Sequence, residues 1–379
     1  MKVGVPNQGA AGESRVAMVP DVVRRLSTRG IEAVVESGAG QRSHLPDSAY
    51  EEAGASIGST QQAWGAEVVA VVRAPSAGDI EHLSRGSIVI GFLNPLTDTD
   101  TARALASAGV TSFAMEAIPR ITRAQSMDAL SSQATVSGYR AVLLAAENID
   151  RFFPMLTTAA GTIKPATVLV LGAGVAGLQA IATARRLGAV VTGYDVRAAV
   201  REQVESLGAR FLDLGLEADA EGAGGYAKEL AEEQQRKQQE AMATAIGRFD
   251  VVITTALVPG RRAPLLVTAA AVEGMKPGSV VVDLAASAGG NCELTEPGQT
   301  VERHGVKIVG AMDLAAEMPD HASQLYARNV QALLELLASK EGQLELNWDD
   351  EILAGACITR DGEIVHEGAK QAASAATAQ

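Results

Sequence analysis

The residues from Thr167 to Asp195, TVLVLGAGVAGLQAIATARRLGAVVTGYD, constrain this chain more than any other stretch. The run Val168 to Leu171 has the composition of a buried parallel strand. It stops at Gly172-Ala-Gly174-Val175-Ala176-Gly177, and a helix then runs to about Leu187. A second strand over Ala189 to Gly193 leads to Asp195. This is G-x-G-x-x-G inside a complete βαβ unit, with an acid about 20 residues past the turn. Each glycine has a physical task. Gly172 permits the tight turn, Gly174 lets main chain approach a pyrophosphate, and Gly177 lets helix and strand pack closely. The helix start at Val175 and Ala176 offers unpaired N–H groups and a positive dipole end to phosphates. Without the flanking strand, helix and acid, the same glycines would be only a core turn. Ala166 to Ala184 is uncharged and nearly long enough to span a bilayer. Its three glycines, Gln179 and the charges of Arg185 and Arg186 assign it to a water-soluble βα unit instead.

Asp195 bears on the choice of cofactor. A carboxylate there accepts hydrogen bonds from a ribose 2′-OH and repels a 2′-phosphate, which favours NAD(H). Val196 follows it. Arg197, two residues on, offers a 2′-phosphate a cation, so NADP(H) stays as the alternative.

A chain of 379 residues is too long for one ordinary core, and two domains are expected. A net charge of −13 argues against nucleic acid or an anionic membrane as the main partner. Met1-Lys-Val-Gly-Val enters a strand directly, so no signal peptide is expected. Cys292 and Cys357 make no disulfide framework, which fits a reducing cytoplasm. The five histidines are scattered and suggest no metal site.

In chain order, strands are expected at Lys2 to Pro6, Ile31 to Glu36, Val68 to Val72, Ser87 to Phe92 and Gly109 to Ala114, separated by helices. Met115 to Arg140 is polar and leads into a helix. Gln125, Asp128 and Ser131 recur every three residues, as on one helical face, with Arg120 just before them. The stretch reads equally as a ligand-holding segment and as a capped interdomain loop. Within a polar excursion from Asp213 to Arg248, Gly225 and Tyr226 lie in a glycine-rich loop, either a lid or plain surface. Val251 to Thr255 and Ser279 to Leu284 are buried strands. They end in the loops Ala256 to Gly260, starting with Ala256 and Leu257, and Ala285 to Asn291. Ligands lie at that carboxyl edge in an open α/β sheet. Lys307 to Val309 closes the sheet, a helix follows over Ser323 to Ser339, and short strands follow at Gln343 to Leu346 and Ala356 to Thr359. The expected fold is α/β, with two Rossmann-like doubly wound parallel-sheet domains, the second inserted into the first. Residues 1–132 with 320–369 form one domain and 133–319 the dinucleotide domain. The small-residue tail 370–379 has no core face and is expected to be disordered.

Several segments together resemble the NAD(H)-binding portion of proton-translocating NAD(P)+ transhydrogenases. They are PRITRAQSMDALSSQ, the βαβ stretch, DVRAAVREQVESLGA, GGYAKE, ITTALVPGRRAPLLV, MKPGSVVVDLAASAGGNCELTEPG and TRDGEIVH. The resemblance spans nearly the whole chain and is densest from Arg120 to Gly310. It implies NAD(H) on this chain, held by Gly172, Gly174, Val175, Ala176, Gly177, Asp195, Val196, Arg197, Gly225, Tyr226, Ala256 and Leu257. It gives Arg120, Gln125, Asp128 and Ser131 to the nicotinamide end, and Tyr226 to a lid. One good fingerprint implies that NADP(H) sits on a partner, the beta subunit. The lack of spanning segments places proton translocation on other chains, among them a separate, membrane-spanning portion of the alpha subunit. A homodimer docked on the cytoplasmic face of the inner membrane is expected. The same broad family contains alanine dehydrogenases, which use a lysine and a histidine in the first domain. The matching places here read as Arg73 and Asn94, with Arg15 retained. Asn cannot act as a general base, and Arg does not replace Lys in shape or pKa. Direct hydride transfer between two nicotinamides needs neither group.

Overall fold

The computed structural model describes residues 1–214, 232–258 and 260–377. The chain divides into two compact units, one of Met1–Gln133 with Ala316–Gln379 and one of Ala134–Ala315. The first begins with six strands: β1 (Lys2–Val5), β2 (Glu32–Glu36), β3 (Ser56–Gly58), β4 (Val68–Arg73), β5 (Ile88–Phe92) and β6 (Thr111–Ala114). They are parallel, in the order β3-β2-β1-β4-β5-β6. Their β-branched runs suit a sheet covered on both faces. Val3, Val5, Val68, Ala70, Val72, Ile88 and Ile90 pack with Val23, Leu26, Val330 and Leu333 from the helices Pro20–Ser27 and Pro319–Leu336. The alternate residues Val69, Val71 and Val89 pack with Trp64 and Leu105. This period-two division of one strand between two cores follows from strand geometry.

The second unit starts with a separate hairpin, β7 (Leu156–Thr158) and β8 (Gly161–Ile163). Its main sheet contains β9 (Thr167–Leu171), β10 (Val190–Tyr194), β11 (Arg210–Phe211), β12 (Val251–Thr254), β13 (Val280–Asp283), β14 (Thr300–Arg303) and β15 (Val306–Gly310). The order is β11-β10-β9-β12-β13-β15-β14. All pairings are parallel except that of β14 with β15. The chain order therefore reverses between β9 and β12, where the expected fingerprint lies, and doubly wound sheets take ligands at such a point. The chain then returns to the first unit as β16 (Cys357–Arg360) and β17 (Glu363–Ile364), an antiparallel edge beside β6.

Three expectations need correction. The second sheet does not close at Lys307 to Val309, because β14 lies outside β15; its sequence TVER lacks the apolar run of a central strand. Gln343 to Leu346 is no strand, and its pairing is one bridge, Ala338 to Leu344. Residues 370–377 belong to a helix, Glu367–Thr377. Ala369 and Ala373 are buried there, and Arg103 donates a hydrogen bond to the Ala373 carbonyl. Small residues let a helix approach its neighbour closely, a property that mean composition hides.

Candidate dinucleotide site

β9 delivers the chain to Gly172 at φ +97°, a backbone that only glycine adopts without strain. A Cβ on Gly172 would lie 2.7 Å from Thr255 Oγ1, and one on Gly177 would lie 1.9 Å from the Gly172 carbonyl oxygen. Both glycines are fixed by packing. Gly174 differs: a Cβ there would meet none of the described residues within 4 Å. No described residue fills the space beside Gly174, so its small size serves close approach rather than packing against them. Gly174 caps the helix Val175–Arg186, whose side-chain-free cap leaves the first N–H groups available. Val175 is exposed at that helix start. Thr255, which sequence reasoning did not single out, donates its hydroxyl to the Gly172 carbonyl at 3.1 Å. Gly138, in the helix Ala129–Asn148, was also missed; a Cβ there would sit 2.1 Å from the Ala176 carbonyl.

Asp195 follows β10 and turns back to the fingerprint. Its Oδ2 accepts from Ala173 N at 2.8 Å. Its Oδ1 accepts from Arg197 N and Nε, both at 2.9 Å, and Arg197 Nη2 donates to Oδ2 at 2.9 Å. Burial works against the Asp195 charge, but Arg197 and the two main-chain N–H groups hold the carboxyl below its usual range. Arg197, the cation that a 2′-phosphate would need, is thus the partner of the acid. Val196 follows it, half-buried, and Ala256 and Leu257 follow β12, with Leu257 exposed. Gly225 and Tyr226 lie outside the described residues. The space that no described residue fills at Gly174, the helix start without a side-chain cap and the half-buried Asp195 fit a dinucleotide.

In the first unit, the face expected from Gln125 to Ser131 is interrupted. Thr122–Met127 is a 3-10 helix, and the α-helix begins at Ala129. Asp128 lies at the junction, its Oδ1 accepting from Ser131 N at 2.9 Å and its Oδ2 from Ser131 Oγ at 2.6 Å. This is the capping geometry of a helix start. Arg120 and Gln125 are exposed. Two partners from the returning chain anchor the 3-10 turn: Arg123 forks onto Asp350 at 2.7 and 3.0 Å, and Asn329 donates to the Ser126 carbonyl.

Near the carboxyl edge of the same sheet, Glu13 holds two guanidinium groups. Arg15 donates to both its oxygens at 2.8 and 2.9 Å, and Arg73 donates to Oε2 at 2.7 Å. Glu13 and Arg15 are buried, and Arg15 also donates to Gln133. Burial raises the Glu13 pKa, but the Arg15 bonds and charge, with Arg73, outweigh it and bring the carboxyl to about 2. Asn94 has φ +50°. Its N–H and that of Leu93 donate to Glu116 Oε1. Glu116 Oε2 is shielded from solvent and has no hydrogen-bond partner among the described residues, and burial pushes this carboxyl up to about 7.

Both units match known domain families. Residues 4–137 match the alanine dehydrogenase/PNT N-terminal domain, and residues 141–367 the alanine dehydrogenase/PNT C-terminal domain. The chain is 48% identical over 376 residues to the first portion of NAD(P) transhydrogenase subunit alpha of Rhodospirillum rubrum, covering 97% of this chain and 98% of that one. It is 29% identical over 378 residues to alanine dehydrogenase of Bacillus subtilis, covering 97% of this chain and 93% of that one. The crystal structure of transhydrogenase from Sinorhizobium meliloti superposes with a TM-score of 0.85 at 45% identity, over 97% of this chain and 99% of that one. The chain therefore belongs to the alanine dehydrogenase/PNT family, among its NAD(P) transhydrogenase alpha subunits.

Proposed function

We propose that this chain binds NAD(H) on its second unit and passes hydride directly between that cofactor and NADP(H) held by a partner beta subunit. The observation that favours this over amino-acid dehydrogenation is the pair Arg73 and Asn94. Arg73 is bound to Glu13, and Asn94 has no proton to exchange near neutral pH. The bound dinucleotide supplies the hydride. The protein supplies placement, with the Gly172–Gly177 turn for the pyrophosphate, Asp195 for the ribose, and Ala256 and Leu257 beside the turn. Arg120, Gln125, Asp128 and Ser131 orient the nicotinamide end, and Gly225 and Tyr226 serve as a lid. No described helix is long and apolar enough to cross a membrane. Proton translocation in this reading belongs to other chains, including a separate membrane-spanning portion of the alpha subunit, with this chain docked as a homodimer on the cytoplasmic face of the inner membrane.

A second reading, an alanine dehydrogenase-like activity, is favoured by Glu116. It places a carboxyl with a pKa of about 7 against Asn94 N. Its free oxygen is sealed from solvent, however, which denies it a proton route. One experiment separates the readings. The chain loaded with NADH is mixed, in a single turnover, with the partner's NADP(H)-binding domain carrying an NADP+ analogue of distinct absorbance. Rapid reduction that requires both proteins supports transhydrogenation. Silence in that mixture, with NADH oxidation on adding pyruvate and ammonium, supports the second reading.

A further inference from the structure

Beyond β12, the described residues from Thr255 to Leu266 form neither helix nor strand. The start of this segment nevertheless lies tight on the fingerprint. Thr255 bonds the Gly172 carbonyl, and Ala256 N lies 3.2 Å from where a Gly172 Cβ would be. Main chain without a strand neighbour ordinarily satisfies itself with water and drifts. At Ala256 one side chain takes both polar groups. The Ala256 N–H donates to Asn291 Oδ1 at 3.0 Å, and the Ala256 carbonyl accepts from Asn291 Nδ2 at 2.9 Å. Nδ2 also donates to the Pro264 carbonyl at 2.8 Å.

Asn291 is fully buried, and its own carbonyl accepts from Leu266 N and Val267 N. Its carboxamide does the work of a neighbouring strand's peptide where the sheet has ended. No other side chain matches this set: Asp lacks the two donors, and Gln is one methylene too long. Asn291 is itself held firmly. The adjacent Cys292 N donates to Asp283 Oδ2, which also accepts from Thr295 Oγ1 at 2.7 Å.

We propose that Asn291 is a positioning residue for the dinucleotide, its buried carboxamide fixing Ala256 and Leu257 against the Gly172 turn before any ligand arrives. This rests on the reading of the second unit as the NAD(H) site. Leu257 is 43% exposed, so its side chain is presented outward rather than used for packing. Asn291 touches no ligand in this scheme; it acts through the loop.

The test is an NADH titration of the intact chain, followed by fluorescence, for the wild type, Asn291→Ala, Leu257→Ala and the double variant. Asn291→Ala is expected to raise Kd about tenfold, as loss of a supporting contact does at a preorganised site. Leu257→Ala raises it by a smaller factor. The double variant falls short of the product of the two, because the Leu257 contribution is already lost. A loss of stability alone lowers Tm but leaves the Kd of the folded fraction where it was. A Kd within about twofold of wild type for Asn291→Ala, or factors that simply multiply, overturns the proposal. Asn291→Ser keeps one donor and serves if the alanine variant does not fold, with an expected rise of about threefold and the same criterion. A wild-type chain that binds no NADH would instead remove the underlying reading.

Discussion

Asp195 and Arg197 form a closed pair whose two functions oppose each other. The acid suits a ribose hydroxyl, and the same acid neutralises the cation that would greet a 2′-phosphate. Replacing Asp195 by Ala removes the acceptor and leaves the guanidinium without this carboxylate. NADH affinity should fall by roughly tenfold and the margin over NADPH should narrow. Calorimetric titration with both cofactors checks this, and unchanged selectivity would refute the ribose role. Gln125, exposed on the 3-10 turn, is expected to act on ring placement. Gln125→Ala should slow single-turnover hydride transfer far more than it weakens NADH binding, whereas equal losses would make it a plain binding residue. Two carboxyls give opposite pH slopes. The Glu13 pKa is lowered from 4.5 to about 2, so its stabilisation is complete above pH 4.5 and is lost as pH falls towards 2. The Glu116 pKa is raised from 4.5 to about 7, so folding favours its protonated form and stability falls as pH rises from 4.5 to 7. Glu116→Gln should flatten that second slope in urea-unfolding midpoints taken across the range; an unaltered slope would show that other groups set it.

At the scale of elements, the Gly172–Gly177 turn is a junction of three pieces of chain: the β9–helix connection, the segment after β12, and the helix Ala129–Asn148. Gly138 of that helix leaves no room for a Cβ against Ala176 O. Gly138→Ala should therefore destabilise the fold by about 1–3 kcal/mol. It should also weaken NADH binding by shifting the helix start; a normal Tm with a normal Kd would show that the contact relaxes freely. Gly138 illustrates what local sequence conceals. Strands β9, β10, β12 and β13 are readable because their β-branched runs and flanking glycines act within a few residues. The fingerprint is readable because its chemistry is local too. Gly138, Thr255 and Asn291 have partners many residues away, and nothing in their neighbours marks them. The cap at Asp128 was one of two readings left open by the sequence: residues three apart fit one helical face, but they equally fit a cap followed by its third residue. β14 is polar because it is an edge strand, so it lacks the pattern that betrays a central one.

At the scale of the whole chain, each unit has hydrophobic clusters of its own. Thermal unfolding should therefore show two transitions, and NADH at 100 times its Kd should raise one of them by about 2.7 kcal/mol. Differential scanning calorimetry decides; one transition shifting as a whole would mean that the units unfold together. The insertion also sets an order in time. A chain leaves the ribosome from its N-terminal end, and the second unit is continuous from residue 134 to 315. Val72, Ile88 and Ile90 emerge early, but Tyr326, Val330 and Leu333, which cover them, lie beyond the insert. Tyr326 bonds the Val71 carbonyl across 255 residues, and β16 closes the edge at β6 later still. The unit begun first is completed last. A nascent chain halted inside the insert has made the strands of that apolar face but not yet the residues that cover it.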